Sequence, residues 1–204
     1  MGFMMVDIVK KIIVLLLSVF IVSCAATKLN DSWKDADLKH SFQHPMIIGI
    51  SDSQQTRQIY EKYFVAALKK NNITATPSYT LISSKQEMNR ETVVAAIKNT
   101  DIDSVLVTYL ISADGEVRHR DSILNTGYSA EIDSSQVSAT IISNRGQSRD
   151  EEIFVLKNDL YDASSKSLVW SAQTESVGPE SIDQVIKEVT AILIKEMLDD
   201  NVLK

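Results

Sequence analysis

The one thiol of the sequence lies where covalent attachment of a lipid would occur. Cys24 is the only cysteine, and an apolar run over residues 12–22 precedes it. Lys10 and Lys11 lie directly before that run. A positively charged start, a short apolar stretch and a small residue, in that order, are the parts of a secretory signal. The pattern therefore predicts a signal peptide over residues 1–23 and a lipid on the sulfur of Cys24.

The apolar run is too short to remain in the membrane as a span. A spanning helix needs roughly 18 or more apolar residues, whereas the core of a signal peptide has about 7–15. Ile21, Val22, Ser23 and Cys24 resemble the lipobox of bacterial lipoproteins. That resemblance implies cleavage before Cys24, a diacylglyceryl thioether and usually an acyl group on the new amino terminus. The alternative is an uncleaved signal anchor in which Cys24 is a buried thiol.

The residues after Cys24 indicate whether a lipoprotein of this kind would be held in the inner or the outer membrane. Ala25 and Ala26 follow Cys24, at the position where an aspartate favours the inner membrane in enterobacteria. The resemblance thus implies an outer-membrane lipoprotein whose folded part faces the periplasm. Two or more acyl chains hold a protein firmly on a bilayer, whereas one chain gives only marginal binding.

Charge and cysteine content exclude several classes of partner and cofactor. The net charge is −6, and cleavage after residue 23 would remove two lysines and one aspartate and leave −7. An acidic chain repels phosphate backbones, so we expect no nucleic-acid partner. With Cys24 bound to lipid, no thiol remains for a disulfide, an iron–sulfur cluster or a zinc thiolate site, and we predict no cofactor.

The rest of the chain divides into a polar segment and one folded unit. Residues 24–44 mix charges of both signs and predict a lipidated tether that holds the domain off the membrane. Within that tether, Trp33 and Phe42 are expected to dock against the domain, and the alternative is that they bind a ligand. Residues 45–204 are predicted to form a single α/β domain with an irregular insertion at about 113–150, which is rich in polar residues and turn signals.

The first half of the domain alternates strands and helices. Short apolar runs predict strands over residues 46–50, 73–79 and 105–111. Apolar residues at helical spacing predict helices over residues 54–71 and 90–99, with Asn89 as a cap for the second. The strand over 105–111 is apolar at every position except Thr108, which indicates a central strand that is covered on both faces. This is the βαβαβ order of a parallel layer.

The second half changes to antiparallel structure. One strand is predicted over 136–142 inside the insertion, and a hairpin is predicted from 153–161 and 167–174. An uninterrupted apolar stripe from Ile182 to Met197 predicts a C-terminal helix that faces the core. The predicted fold class is α/β (α+β), a two-layer or three-layer sandwich with a mixed sheet, a βαβαβ first half, an antiparallel hairpin in the second half and a C-terminal helix.

Several strings along the chain resemble a group of uncharacterised proteobacterial envelope lipoproteins. They are residues 31–35 (DSWKD), 47–51 (IIGIS), 77–79 (PSY), 101–109 (DIDSVLVTY) and 159–170 (DLYDASSKSLVW). More remotely, the layout is similar to the amino-terminal domain of TolB, the curli-secretion lipoprotein and the lipoprotein activators of penicillin-binding proteins. In those groups a strand ending in Asp, a tight turn and a strand ending near Trp form a recurring hairpin. Here Ser164 and Ser165 occupy the turn, where the family pattern has Thr-Gly.

The residues that could bind a ligand are few and scattered. Asp52 lies at the first strand-to-helix turn, where α/β proteins often bind anions, although helix capping also explains a polar residue there. Arg118, Arg120 and Tyr128 lie in the insertion and could contact a partner or an anionic glycan, or could be solvated loop residues. His40 and His44 have a spacing that would suit a helix face, but they lie in the polar tether and His119 lies in the insertion, so no metal is expected.

No motif in the sequence predicts catalysis. The chain lacks the Gly-x-Ser-x-Gly elbow of serine hydrolases and the P-loop of nucleotide-binding proteins. We therefore expect a non-enzymatic, lipid-anchored envelope lipoprotein that acts as an accessory or assembly module through a protein partner. The alternative is an envelope lipoprotein that binds a small molecule or a glycan, and a hydrolase is the third possibility. The sequence does not predict the oligomeric state.

Overall fold

The structure, a computed structural model, describes residues 27–51, 53–112, 153–179 and 181–204. Its strands are β1 (Thr27–Lys34), β2 (Pro45–Gly49), β3 (Thr76–Pro77), β4 (Ser104–Ser112), β5 (Ile153–Asp162) and β6 (Leu168–Val177). Its α-helices are α1 (Gln54–Lys70), α2 (Arg90–Ile97) and α3 (Ile182–Asp199), and a 3-10 turn spans Ser78–Thr80. The six strands form one mixed sheet in the order β1-β6-β5-β4-β2-β3.

The first half of the sheet is parallel, as the sequence predicts. β2 pairs in parallel with both β3 and β4, and all five residues of β2 are buried. β4 lies between β2 and β5, so the prediction of a central strand is confirmed. β3 is much shorter than predicted. Pro77 has no N–H to donate to a ladder, and the chain turns into the 3-10 turn at Ser78.

The second half is antiparallel, and the predicted hairpin of β5 and β6 is confirmed. Its turn depends on Asp162, whose Oδ1 accepts hydrogen bonds from the backbone N–H of Ser164 at 2.6 Å and of Ser165 at 3.2 Å. Lys166 closes the turn with a left-handed φ of 61°. A register shift between Leu160 and Tyr161 places Leu168 with the apolar cluster on the face opposite to Trp170.

The tether predicted for residues 24–44 is wrong where the structure describes that range. Residues 27–34 form β1, which pairs antiparallel with β6 and makes one edge of the sheet. The strand lacks an apolar alternation because its side chains toward α3, apart from that of Leu29, are polar. Ser32 Oγ donates to Glu196 Oε1 at 2.9 Å, and Lys34 Nζ donates to the carbonyl oxygen of Asp200 at 2.7 Å.

The two aromatic residues expected to dock differ in outcome. Phe42 is buried in the core and lies between the backbone groups of residues 202 and 204, so its docking is confirmed. Trp33 instead remains 49% exposed, because its neighbours Ser32 and Lys34 turn toward α3 and the alternation of the strand points Trp33 the other way.

Helices cover the sheet unevenly. α1 and α3 pack on one face, where the main core includes Phe64, Trp170 and Leu193. α2 and the residues around Ile82 pack on the other face, over β2 and β4. The described part of the chain thus has three layers at β2 and β4 and two layers at β5, β6 and β1, so both predicted sandwich forms occur in one sheet.

The helix ends follow the capping chemistry of the sequence. Asn89 caps α2, as predicted, by accepting a hydrogen bond from the N–H of Thr92 at 2.9 Å. Ser181 caps α3 in the same way through the N–H of Gln184. The apolar stripe of α3 faces the core, with Val189, Leu193 and Met197 fully buried. No helix among the described residues is long and apolar enough to cross a bilayer.

Candidate functional site

The predicted contact residues lie outside the described part of the chain. These are Cys24, Asp52, Arg118, Arg120 and Tyr128, together with the strand predicted over 136–142. Their roles therefore remain predictions.

The first strand-to-helix turn is built for capping. The hydroxyl of Ser53 accepts a hydrogen bond from the N–H of Thr56 at 3.2 Å, and the hydroxyl of Ser51 accepts one from the N–H of Ser53 at 3.2 Å. Both flanking side chains thus serve the amino terminus of α1, and this agrees with the capping explanation for polar residues at this turn.

Arg57 and Glu61 form a buried ion pair within α1. Glu61 is fully buried, and its Oε1 accepts from Arg57 Nε at 2.9 Å, from Ser78 Oγ at 2.6 Å and from the N–H of Gly49 at 3.1 Å. Its Oε2 accepts from the N–H of Tyr79 at 3.0 Å. Because every donor comes from α1, β2 or the 3-10 turn, the carboxylate joins these three elements. This network stabilises the fold.

A second buried polar chain crosses the sheet beneath α1. The hydroxyls of Tyr60 and Thr108 are 2.5 Å apart, and Thr108 Oγ1 donates to Asn158 Oδ1 at 2.9 Å. Asn158 Nδ2 in turn donates to the carbonyl oxygen of Ala172 at 3.3 Å. Burial raises the pKa of Tyr60 well above its ordinary value, so the phenol stays protonated and can take part in the chain at neutral pH.

The strongest candidate for a binding surface is on the other side of the sheet. We call it the polar face and define it by the polar residues of β1, β6 and β5 on the side of the sheet away from α3, a side that Val155 shares. Its members are Asp31, Trp33, Lys157, Asp159, Ser171, Gln173 and Glu175.

Asp159 organises the centre of the polar face. Its side chain is fully buried, yet it accepts from Ser171 Oγ at 2.6 Å and from Tyr109 Oη at 3.0 Å. Lys157 Nζ lies 3.5 Å from its Oδ2, with 30% of the lysine side chain exposed. Tyr161 also forms a hydrogen bond with Asp159. The carboxylate is therefore held in place from three strands, β4, β5 and β6.

The tyrosines around Asp159 remain protonated over the physiological range. Burial raises the pKa of Tyr109 and of Tyr161 above the ordinary value of 10.0, and the negative charge of Asp159 raises both further. Neutral phenols donate hydrogen bonds, so these two side chains orient the carboxylate at neutral pH.

Trp33 lies in register with this cluster. It pairs with Ser171 across β1 and β6, and Ser171 pairs with Asp159 across β6 and β5. The exposed indole thus stands at the outer end of a row whose inner end is a buried carboxylate. An exposed aromatic ring beside hydrogen-bonding groups is an arrangement that binds another surface.

Charges at one end of the polar face are paired. Lys28 Nζ is 2.8 Å from Glu175 Oε1, and Asn30 Nδ2 donates to Glu175 Oε2 at 2.9 Å. The hydrogen bonds from Lys28 and Asn30 lower the pKa of Glu175 below its ordinary value. Glu175 is therefore ionised, and the charge of Lys28 neutralises it. A partner that binds the polar face would contact this ion pair and not a free carboxylate.

The histidines in the described residues serve structural contacts. His44 Nδ1 lies 3.0 Å from Asp101 Oδ2 and its Nε2 lies 2.8 Å from Thr76 Oγ1. His40 Nε2 is 3.8 Å from Asp162 Oδ2. Within the described ranges, no group of three or more His, Cys, Asp or Glu side chains could hold a metal ion.

Reasoning from the sequence missed the polar face. Lys157 and Asp159 lie on one side of β5 and Leu156 and Leu160 on the other, although Asn158 on the apolar side and Val155 on the polar side interrupt this period of two. That signal was present in the sequence. The position of Trp33 was not, because it depends on the pairing of β1 with β6.

Comparison with known proteins gives remote similarities in backbone fold. No protein-family model matches the chain, and no curated protein matches its sequence. Among solved structures, the chain is similar to a PelC dodecamer from Paraburkholderia phytofirmans at 13% identity and a TM-score of 0.46, over 87% of this chain and 99% of that one. It is also similar to a variant PelC dodecamer from the same organism at 12% identity and a TM-score of 0.43, over 82% and 94%. A third similarity is to lipoprotein GNA1162 from Neisseria meningitidis at 10% identity and a TM-score of 0.41, over 76% and 98%.

Proposed function

We propose that this protein is a lipoprotein anchored through Cys24 on the periplasmic side of the outer membrane, and that it binds another envelope protein through its polar face. In this proposal it catalyses no reaction and acts as an accessory or assembly module. The anchor is supported by the apolar run and the Ile-Val-Ser-Cys sequence that end at Cys24.

The observation that carries the binding role is the exposure of Trp33. About half of this side chain is accessible, at 49%, although tryptophan is the largest side chain in proteins. If a partner covered the exposed area of the Trp33 side chain, of the order of 100 Å², this would contribute about 2–3 kcal/mol to the free energy of binding at roughly 25 cal/mol per Å². Tryptophan is also among the residues that most often dominate the energy of a protein interface.

The surroundings of Trp33 fit a protein interface. Ser171 and Gln173 lie on the neighbouring strand β6, the partly exposed Lys157 lies one strand further on β5, and Asp31 is exposed two residues from Trp33 on β1. An apolar anchor within a rim of hydrogen-bonding groups is the usual composition of such interfaces. The clustered hydrogen bonds of Asp159 hold this surface in one conformation, which lowers the entropy lost on binding.

Site-specific crosslinking tests the proposal. A photoreactive amino acid at Gln173 in the full-length, lipidated protein should give a crosslinked product with an envelope protein in whole cells. The same amino acid at Lys187, an exposed position on α3, should give none. Trp33→Ala should reduce the product from Gln173 several-fold. Equal products from both positions, or only the free protein, would contradict the proposal, and a product of two copies of this chain would replace it with self-association.

The same indole favours a second candidate function, the binding of a glycan or another small molecule. Ligand sites combine an aromatic surface with a few polar groups, and Trp33 beside Gln173 and Ser171 supplies both. A thermal-shift screen with cell-wall fragments tests it, since a ligand that binds only the folded state raises Tm. A shift that is lost in Trp33→Ala would support this candidate, and the absence of any shift would remove it.

A further inference from the structure

The start of β1 limits how far the domain can lie from a lipid on Cys24. β1 begins at Thr27, so only Ala25 and Ala26 separate the strand from the cysteine. Three steps along the chain, at 3.8 Å between successive Cα atoms, span at most about 11 Å. A coil of roughly 20 residues, as the predicted tether would have been, has a typical end-to-end distance of about 25 Å. The chain between Cys24 and the start of β1 is therefore short.

Thr27, where β1 begins, lies at one defined edge of the sheet. Thr27 pairs with Ser176 near the end of β6, and its hydroxyl lies 2.7 Å from the hydroxyl of Ser176. Ile153, the first residue of β5, pairs with Val177 at the same level. Thr27, Ile153 and Val177 thus lie together at one end of the strands.

The first turn of α3 lies at this end too. The last turns of α3 bind the far half of β1, through Glu196 to Ser32 and through Asp200 to Lys34. Going back from Glu196 to Ile182 covers about 21 Å of helix, and going back from Ser32 to Thr27 covers about 17 Å of strand. Ile182 is therefore level with Thr27. We call Thr27, Ile153, Val177 and Ile182 the Thr27 edge.

Two large apolar side chains are exposed at the Thr27 edge. Ile153 and Ile182 are each 40% accessible. Next to them, the Lys28–Glu175 ion pair leaves no free charge of either residue. Asp183 and Lys187, the exposed charged residues of the first turns of α3, are of opposite sign. Glu151 and Glu152 precede Ile153 in the sequence and Glu180 lies two residues before Ile182, so the edge offers apolar contact but not a neutral surface. Exposed apolar side chains of this kind fit the headgroup layer of a bilayer.

We infer that the Thr27 edge rests on the phospholipid surface in which Cys24 is anchored, with Ile153 and Ile182 in contact with the headgroup layer. This inference rests on the lipid anchor of the proposed function. The strands then stand away from the membrane, with the β5–β6 turn at the far end and the polar face directed along the membrane plane. A partner bound to the polar face would lie beside the domain, at the height of the membrane surface.

Fluorescence quenching in vesicles tests this orientation. The lipidated protein, purified from envelopes, is reconstituted in vesicles of phosphatidylethanolamine and phosphatidylglycerol that contain a headgroup nitroxide lipid. A fluorophore is attached to Ile182→Cys or to Ser165→Cys, the control in the exposed β5–β6 turn about 33 Å away along the strands. We expect the label at 182 to lose most of its emission and the label at 165 to keep it.

A spacer variant and mass spectrometry distinguish a failure of the membrane orientation from a failure of the lipid anchor. A Gly/Ser spacer of about 12 residues between Ala26 and Thr27 lengthens the reach by roughly 20 Å and should restore emission at 182. Equal quenching at 182 and 165, or unquenched emission at 182, would overturn the inference, while a lipidated Cys24, confirmed by mass spectrometry of the same samples, would leave the anchor intact. Quenching at 182 that the spacer leaves unchanged would support contact of the Thr27 edge with the headgroup layer through Ile153 and Ile182 themselves. An unmodified Cys24 would overturn the anchor, and this inference with it.

Discussion

Tyr60 occupies the space that any side chain at Gly49 would need. A Cβ atom added to Gly49 would lie 2.8 Å from Cδ1 of Tyr60, closer than such contacts occur in proteins. The ring of Tyr60 is held from its other end, because its hydroxyl binds Thr108. The backbone of β2 and the first turns of α1 therefore approach each other only because residue 49 has no side chain.

Gly49→Ala should destabilise the protein by about 1–3 kcal/mol, because the tyrosine ring must move in a packed core. Urea unfolding followed by circular dichroism measures the change in the free energy of unfolding. The control is Tyr60→Ala, in which the ring is absent. In that background Gly49→Ala should cost little, and an equal cost in both backgrounds would contradict the steric explanation.

Glu61→Gln should destabilise the fold by about 3–5 kcal/mol, because it leaves the buried guanidinium of Arg57 without its counter-charge. The same unfolding measurement applies. Lys195→Ala removes the partner of Asp199 in an exposed ion pair of the same i, i+4 spacing and is the matched control. Its denaturation midpoint should match that of the wild type. Similar losses in the two variants would mean that burial does not decide the effect.

The acid stability of the protein should depend on Asp162. Burial alone would raise the pKa of this carboxyl, but hydrogen bonds from Ser164 and Ser165 outweigh that effect and lower the pKa below 3.8. A lowered pKa in the folded state contributes stability above the ordinary pKa, and this contribution is lost as the pH falls through the folded value. Asp162→Asn should therefore show a smaller decline in stability below about pH 4 than the wild type. Asp37→Asn, at an exposed position, is the control and should keep the wild-type profile.

Replacing each tryptophan by alanine should change the stability of the fold by very different amounts. Trp170 is fully buried and donates from Nε1 to Asp200 Oδ2 at 2.8 Å, so Trp170→Ala should cost about 3–5 kcal/mol. Trp33 is half exposed, and Trp33→Ala should change stability by less than about 0.5 kcal/mol. Unfolding curves of both variants give the comparison. A large loss for Trp33→Ala would mean that this residue supports the fold, and its use as an interface anchor would lose its basis.

The sequence predicts the buried elements of this fold better than the exposed ones. The apolar run of β4 and the stripe from Ile182 to Met197 have one arrangement that removes them from water, so their strand and helix form follow from periodicity. β1 gives no such signal, since Ser32 and Lys34 face α3 through hydrogen bonds and not through apolar contact. Its place in the sheet is set by β6, where the residue that pairs with Thr27 lies 149 positions away.

The candidate site divides in the same way. The alternation of Lys157, Asp159 and Tyr161 along β5 is local, but Asn158 on the opposite side makes it an incomplete signal of a polar face. The approach of Tyr109 and Ser171 to Asp159 depends on the register of three strands, and periodicity within one strand does not determine that register. The exposure of Trp33 was predicted wrongly for the same reason.

The pairing of the first strand with the last one has a consequence for how the chain acquires its structure. Among the described strands β1 pairs only with β6, so it cannot take this place in the sheet until residues 168–177 have been synthesised. Closing so long a loop is slow compared with forming the β2–α1–β3 unit. In the export proposed above, the amino-terminal strand would therefore stay unpaired until nearly the whole polypeptide has crossed the membrane.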